Sequence, residues 1–112
     1  QSVASDLGLT VSIDQYNSEG EIVEAISRCI EQGVNGIIIN PAAYTHTSIA
    51  ILDAIRGCGI PAIEVHLSNI ASREEYRRRS LTAEGVLGQI SGFGQNSYLL
   101  ALCAMRDVLN QE

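Results

Sequence analysis

Glu64 and His66 stand two residues apart near the end of the run Ile60-Pro61-Ala62-Ile63-Glu64-Val65-His66. In a strand, that spacing points both side chains to one face. A carboxylate within reach of an imidazole fixes its tautomer and raises its basicity, a pairing suited to general acid or base work. An ordinary polar strand end making structural hydrogen bonds has the same spacing. Asn40 closes the run Gly36-Ile37-Ile38-Ile39-Asn40, where it can brace His66, bind a hydroxyl, or simply cap the loop that follows. His46, in Tyr44-Thr45-His46-Thr47-Ser48, lies just before a helix start, where amides point outward and favour anions. Loop histidines also serve purely structural roles.

The arginines give a second signal. In a helix starting near Ser72, Glu74 pairs with Arg78 and Glu75 with Arg79 at a spacing of four, each pair contributing roughly 0.2 to 0.5 kcal/mol. Arg73 and Arg77 share another face with no such carboxylate and repel one another. That face either invites an anion or is a solvated basic surface. A metal site assembled from His46, His66, Glu64 and Asp53 is conceivable, but these residues form no compact ligand motif. Asp53 is expected on the outer side of its helix, as a solvated charge or at a subunit contact. The sequence has no Gly-rich phosphate fingerprint and no Gly-x-Ser-x-Gly elbow, and Gly92-Phe93-Gly94 is a weak turn signal.

The elements that must position these residues alternate between two periods. Leu9, Val11 and Ile13 alternate with polar residues as in a short strand. From Gly20 the spacing becomes helical, with Ile22, Val23, Ile26, Cys29 and Ile30 on one stripe and Gly33 closing it. Gly36–Ile39 reads as a strand covered on both faces. Pro41 disfavours helix at Asn40 and introduces a polar loop, 42–47. Ser48 caps a helix carrying Ile49, Leu52, Ile55 and Arg56, which Gly57 and Gly59 stop. The strand 60–66 follows, then a loop, 67–71, and the charged helix from Ser72 through Arg79. Val86–Ile90 is a short strand, and a last helix carries Tyr98, Leu99, Leu102, Cys103, Met105 and Leu109. Residues 1–7 read as the end of a helix stopped by Gly8.

Strand and helix thus alternate four times, which predicts parallel strands, right-handed crossovers and helices on both faces. Such a sheet holds its site beyond the carboxyl ends of its strands. Those ends are 15–18, 40–47 and 64–69, and they carry both histidines.

With 112 residues, 46% of them hydrophobic, the chain suits one domain with one core. A net charge of -6 with no lysine and seven basic residues, all arginine, argues against nucleic acid and anionic membranes as partners. Cys29, Cys58 and Cys103 are far apart, in apolar contexts, as expected of buried thiols in a reducing compartment. There is no signal peptide pattern and no long apolar run, so a cytoplasmic location is expected.

The block Ile39-Asn40-Pro41-Ala42-Ala43-Tyr44-Thr45-His46-Thr47-Ser48 with Asp53, and the block from Pro61 to Ile70 with Arg73-Glu74-Glu75-Tyr76-Arg77, resemble type II 3-dehydroquinate dehydratases. Gly85-Val86, Gly92-Phe93-Gly94, Tyr98 and Leu99 extend the resemblance over nearly the whole chain. It implies a flavodoxin-like three-layer α/β/α fold with a doubly wound parallel sheet, trimers packed into a dodecamer, and no metal or organic cofactor. The implied reaction is dehydration of 3-dehydroquinate to 3-dehydroshikimate through an enolate. His66 resembles the general acid that protonates the departing hydroxyl, with Asn40 and Glu64 orienting it. Leu67 and Ser68 resemble the residues whose amides meet the substrate carboxylate, joined by the Ser68 hydroxyl. His46 and Arg77 resemble the residues that hold ring hydroxyls, Arg73 a further active-site arginine, and Asp53 a residue that reaches a neighbouring subunit's site.

Two departures from the family pattern bear on these expectations. Tyr16 stands where serine is usual. The family also begins with a strand and a mobile loop that supply a base tyrosine, its activating arginine and an asparagine, and Tyr16, Tyr44, Tyr76 and Tyr98 do not match the base position. The expectation is a single incomplete dehydroquinase-like domain, 1–112, with its first strand absent and no activity as an isolated 112-residue chain. The competing reading is a non-catalytic oligomeric protein that binds a small carboxylate.

Overall fold

The computed structural model describes residues 8–72 and 80–111. The expected helix at 1–7 and the charged helix with Arg73 and Arg77 lie outside them. Three strands, β1 (Ile37–Ile39), β2 (Ala62–His66) and β3 (Gly88–Ser91), form a parallel sheet in the order β1-β2-β3. β2 is central, and all five of its residues are buried. Its register sets Glu64 between Ile39 on one side and Gln89 on the other, and His66 opposite Ser91.

Helix α1 (Glu19–Glu31) begins at Ser18, whose Oγ accepts from the Glu21 amide at 3.2 Å, while the Glu21 carboxylate accepts from the Asn17 amide and the Ser18 hydroxyl. This reciprocal cap satisfies amides that the first helical turn leaves open. Helix α2 (Ile49–Cys58) starts at Ser48, as expected, and ends at Gly59 in the left-handed conformation, φ 70°. Helix α3 is Asn96–Leu109. Ile22, Val23 and Ile26 of α1 and Ile51 and Ile55 of α2 pack with Ile39 and Ala62 on one face of the sheet. Ala101 and Met105 of α3 pack with Ile63 and Val65 on the other. Helices on both faces of a parallel sheet give the expected doubly wound, flavodoxin-like arrangement. No helix among the described residues is long and apolar enough to cross a membrane.

Several local expectations are corrected. Leu9, Val11 and Ile13 lie in no strand. Alternation makes a strand possible, but only a hydrogen-bonded neighbour makes one, and none of the described residues forms a ladder with this segment. The loop after Asn40 is wound into a 3-10 helix, Ala42–His46, and the third strand starts two residues later and ends one later than its apolar run suggested. Ile30, Ile49 and Leu99 are exposed, at 54%, 63% and 41%. In α3 the inward face holds small Ser97 and Ala101 beside Met105 while Leu99 and Leu100 face out, and in the other two helices the buried stripe runs through Ile26 and through Ile51, Leu52 and Ile55, leaving Ile30 and Ile49 off it. At Gly36, an added Cβ would meet the Met105 Sδ at 2.5 Å, so α3 packs against β1 through a glycine. The cysteines are free and half-buried rather than buried. Partial burial, reinforced by neighbouring Cys58, pushes the Cys29 thiol up.

Ser48 also ties the two helices on one face together. Its Oγ accepts from the Ile51 amide at 3.0 Å and donates to the Glu19 carboxylate, and the residue is 1% exposed. Ser48→Ala should therefore cost about 1 to 2 kcal/mol, the upper range for a lost N-cap. Urea unfolding followed by circular dichroism measures it, and an unchanged midpoint would show the cap to be dispensable.

Candidate active site

The end of β2 is built by its neighbours' backbone. Gly92 donates to the His66 carbonyl at 3.1 Å and Gly94 to the Leu67 carbonyl at 2.8 Å, extending the β3 contact past the last paired residue. Gly92 adopts φ 95° and lies against Asn69, where a side chain would crowd the loop. The Ser97 hydroxyl, in the first turn of α3, donates to the His66 carbonyl at 3.4 Å and accepts from the Phe93 amide at 3.3 Å. The turn that sequence marked only weakly thus clasps the strand end on which His66, Leu67 and Ser68 stand.

His66 Nε2 lies 2.7 Å from Glu64 Oε2, with the imidazole 5% exposed and the carboxylate fully buried. The expected pairing is present. Spacing along the chain did not reveal what surrounds it. Glu64 Oε2 also accepts from Ser80 Oγ at 2.7 Å, Gln89 Nε2 at 2.9 Å and Thr45 Oγ1 at 3.4 Å. Glu64 Oε1 accepts a short hydrogen bond from the Thr82 hydroxyl. Burial alone pushes the Glu64 carboxyl up, but the hydrogen bonds from His66, Thr82 and Ser80, with the imidazole's charge, outweigh it and hold the group below the ordinary carboxylate value. An ionised carboxylate only accepts, so His66 carries its proton on Nε2 and Nδ1 is the ring nitrogen left for proton exchange.

Asn40 donates through Nδ2 to the Tyr98 hydroxyl at 3.1 Å and accepts the Ala42 amide at 3.0 Å. Its loop-capping alternative is thus realised, in a bend where Ala42 takes φ 53°. His46 ends the 3-10 helix that also carries Thr45, the residue that reaches Glu64. Leu67 is half-buried and Ser68 exposed beside it, and Asp53 is exposed on α2. Tyr16, the departure from the family pattern, accepts from Arg28 Nη2 at 3.1 Å and lies with its ring 5.9 Å from that guanidinium. Among the described residues no three His, Cys, Asp or Glu side chains converge as a metal site would require.

The profile of the family Dehydroquinase class II matches residues 1–106. The chain belongs to this family. It is 52% identical over 106 residues to a 3-dehydroquinate dehydratase of Caldicellulosiruptor saccharolyticus, covering 95% of this chain and 73% of the relative. It is 53% identical over 111 residues to one from Campylobacter hominis, covering 99% and 71%. The structure of the type II dehydroquinase from Butyrivibrio crossotus superposes with a TM-score of 0.89 at 40% identity, covering 98% of this chain and 74% of that one. Membership of the class II dehydroquinases gives the buried Glu64–His66 pair a reaction to be read against.

Proposed function

We propose that His66 is the general acid in the dehydration of 3-dehydroquinate, and that the Glu64–His66 pair at the tip of the central strand carries this role. The protein is a type II 3-dehydroquinate dehydratase, a carbon–oxygen lyase. In the reaction a base removes a proton beside the ketone, and the electron pair is held as an enolate. The pair then re-forms the carbonyl, creates the carbon–carbon double bond and expels the hydroxyl. His66 Nδ1 delivers a proton to the departing oxygen, which leaves as water. Glu64, held against Nε2, stabilises the imidazolium before transfer and keeps Nδ1 directed outward.

The remaining assignments are part of the same proposal. The amides of Leu67 and Ser68 and the Ser68 hydroxyl hold the substrate carboxylate. His46 and Arg77 hold ring hydroxyls, Arg73 is a further active-site arginine, Asn40 joins Glu64 in orienting His66, and Asp53 reaches a neighbouring copy. The clasp of Gly92 and Gly94 on the β2 tip supports the first of these, because it fixes the segment that presents the amides. We further propose trimers assembled into a dodecamer, supported by the exposed apolar side chains Leu87, Phe93, Leu99 and Leu100, and a reducing cytoplasmic setting, supported by three free thiols.

Mixing the intact protein with 3-dehydroquinate should produce the ultraviolet absorbance of the conjugated enone product. Tight binding of a planar carboxylated analogue without any enone would instead favour a binding protein that has lost catalysis.

A further inference from the structure

Four side chains outside the Glu64–His66 pair converge on one buried carboxylate, and they come from separate parts of the chain. Thr45 belongs to the 3-10 helix after β1, Ser80 to the segment leading into Thr82–Gly85, Thr82 to that turn, and Gln89 to β3. Their geometry sets the direction of each proton. Ser80 Oγ accepts the Ala83 amide at 3.0 Å, which leaves its hydrogen for Glu64. Thr82, fully buried, donates to Glu64 Oε1, the oxygen that His66 does not use. Thr45 Oγ1 lies 2.8 Å from Thr82 Oγ1 and is in short contact with Ser80 Oγ; with the Ser80 and Thr82 hydrogens given to Glu64, these two oxygens accept, and the single Thr45 hydrogen is shared between them and the carboxylate. A backbone hydrogen bond of 2.6 Å from the Leu81 amide to the Thr45 carbonyl locks the two turns together. Among the described residues no buried side-chain nitrogen or oxygen lacks a partner.

We propose that Thr82, with Ser80, Thr45 and Gln89, forms a positioning set that holds Glu64 in one orientation as a carboxylate and through it decides which nitrogen of His66 faces the substrate. The proposal rests on His66 being the acid. Donors aimed at both oxygens favour the ionised form and oppose rotation of the carboxylate. A carboxylate missing the Oε1 donor would turn or protonate more readily, and a protonated Glu64 no longer requires a proton on Nε2. His66 is the titratable group that acts on Glu64, and the hydroxyls and the amide of the set do not titrate in the working range.

Thr82→Val keeps the side-chain shape and removes the hydroxyl, whereas Thr82→Ser keeps the hydroxyl. In the intact protein, Thr82→Val should lower kcat at neutral pH about tenfold with little change in KM, as expected for a misplaced acid. The acid limb of its kcat profile should move to higher pH, because the lost donor had stabilised the carboxylate. The infrared band of a protonated buried carboxyl, assigned with Glu64→Gln, should appear at higher pH in Thr82→Val and return toward native behaviour in Thr82→Ser. An unchanged acid limb in folded Thr82→Val overturns the proposal, even if His66→Ala is inactive and the acid assignment stands. Full activity of His66→Ala would overturn the acid assignment itself. If Thr82→Val does not fold, Ser80→Ala, at a half-buried position, carries the same measurements with the same two outcomes.

Discussion

His66→Ala is expected to reduce kcat for dehydration by about 10²- to 10⁴-fold, the range for a lost general acid. Three features make the loss specific to catalysis. The imidazole is held at 2.7 Å by a carboxylate that four other side chains already engage, so removing the ring leaves Glu64 with partners. The strand tip is fixed by main-chain bonds from Gly92 and Gly94, which do not depend on the His66 side chain. The space left by the ring borders the Glu64 carboxylate, a polar group that can hold a water in the imidazole's place. Far-ultraviolet circular dichroism should therefore stay native while the enone signal falls. Native turnover by the alanine variant would remove His66 from the chemistry.

Glu64→Leu should act on both stability and turnover. The leucine has similar bulk but no acceptor, and it strands the Thr82 and Ser80 hydroxyls, the Gln89 amide and the imidazole donor around an apolar group. Breaking a buried charged pair from one side costs about 3 to 5 kcal/mol, and the loss should appear as a lower urea midpoint together with very low turnover. The native protein carries a related pH dependence. The folded Glu64 carboxyl lies below its ordinary value of 4.5, so the unfolded chain takes up this proton first as pH falls. Its contribution is present in full above the unfolded value and is lost as pH falls through the folded one. Unfolding titrations below the ordinary carboxylate range should show native stability dropping, and Glu64→Gln should lose the part of that slope due to this residue. An equally steep acid slope in Glu64→Gln would assign it to other carboxylates.

The Glu64–His66 pair was legible because its cause is local: a spacing of two on a β-branched run leaves little choice of face. The strand at 60–66 and the Ser48 helix start were legible for the same reason, since capping and pleating act over a few residues. Thr45, Ser80, Thr82 and Gln89 carried no such mark. They meet Glu64 only because two crossovers bring turns and a neighbouring strand to one point, and a hydroxyl residue in a turn looks the same whether it faces water or a buried carboxylate. Ile30, Ile49 and Leu99 show the converse. Their hydrophobicity suggested inward positions, but a helix turns only one stripe to the sheet, and that stripe runs through Ile26, through Ile51, Leu52 and Ile55, and through Ala101 and Met105. Leu9, Val11 and Ile13 show that alternation without a partner does not make a strand.

Apart from His66, Glu64 gathers its donors from as little as 16 and as much as 25 residues along the chain, on both sides of it, so no single excursion of the polypeptide supplies them all. A partly folded molecule lacking either crossover keeps a glutamate and a histidine two residues apart but has nothing to hold them in register. Enzymatic competence therefore reports closure of the whole topology, and recovery of activity during refolding should trail the return of helical signal.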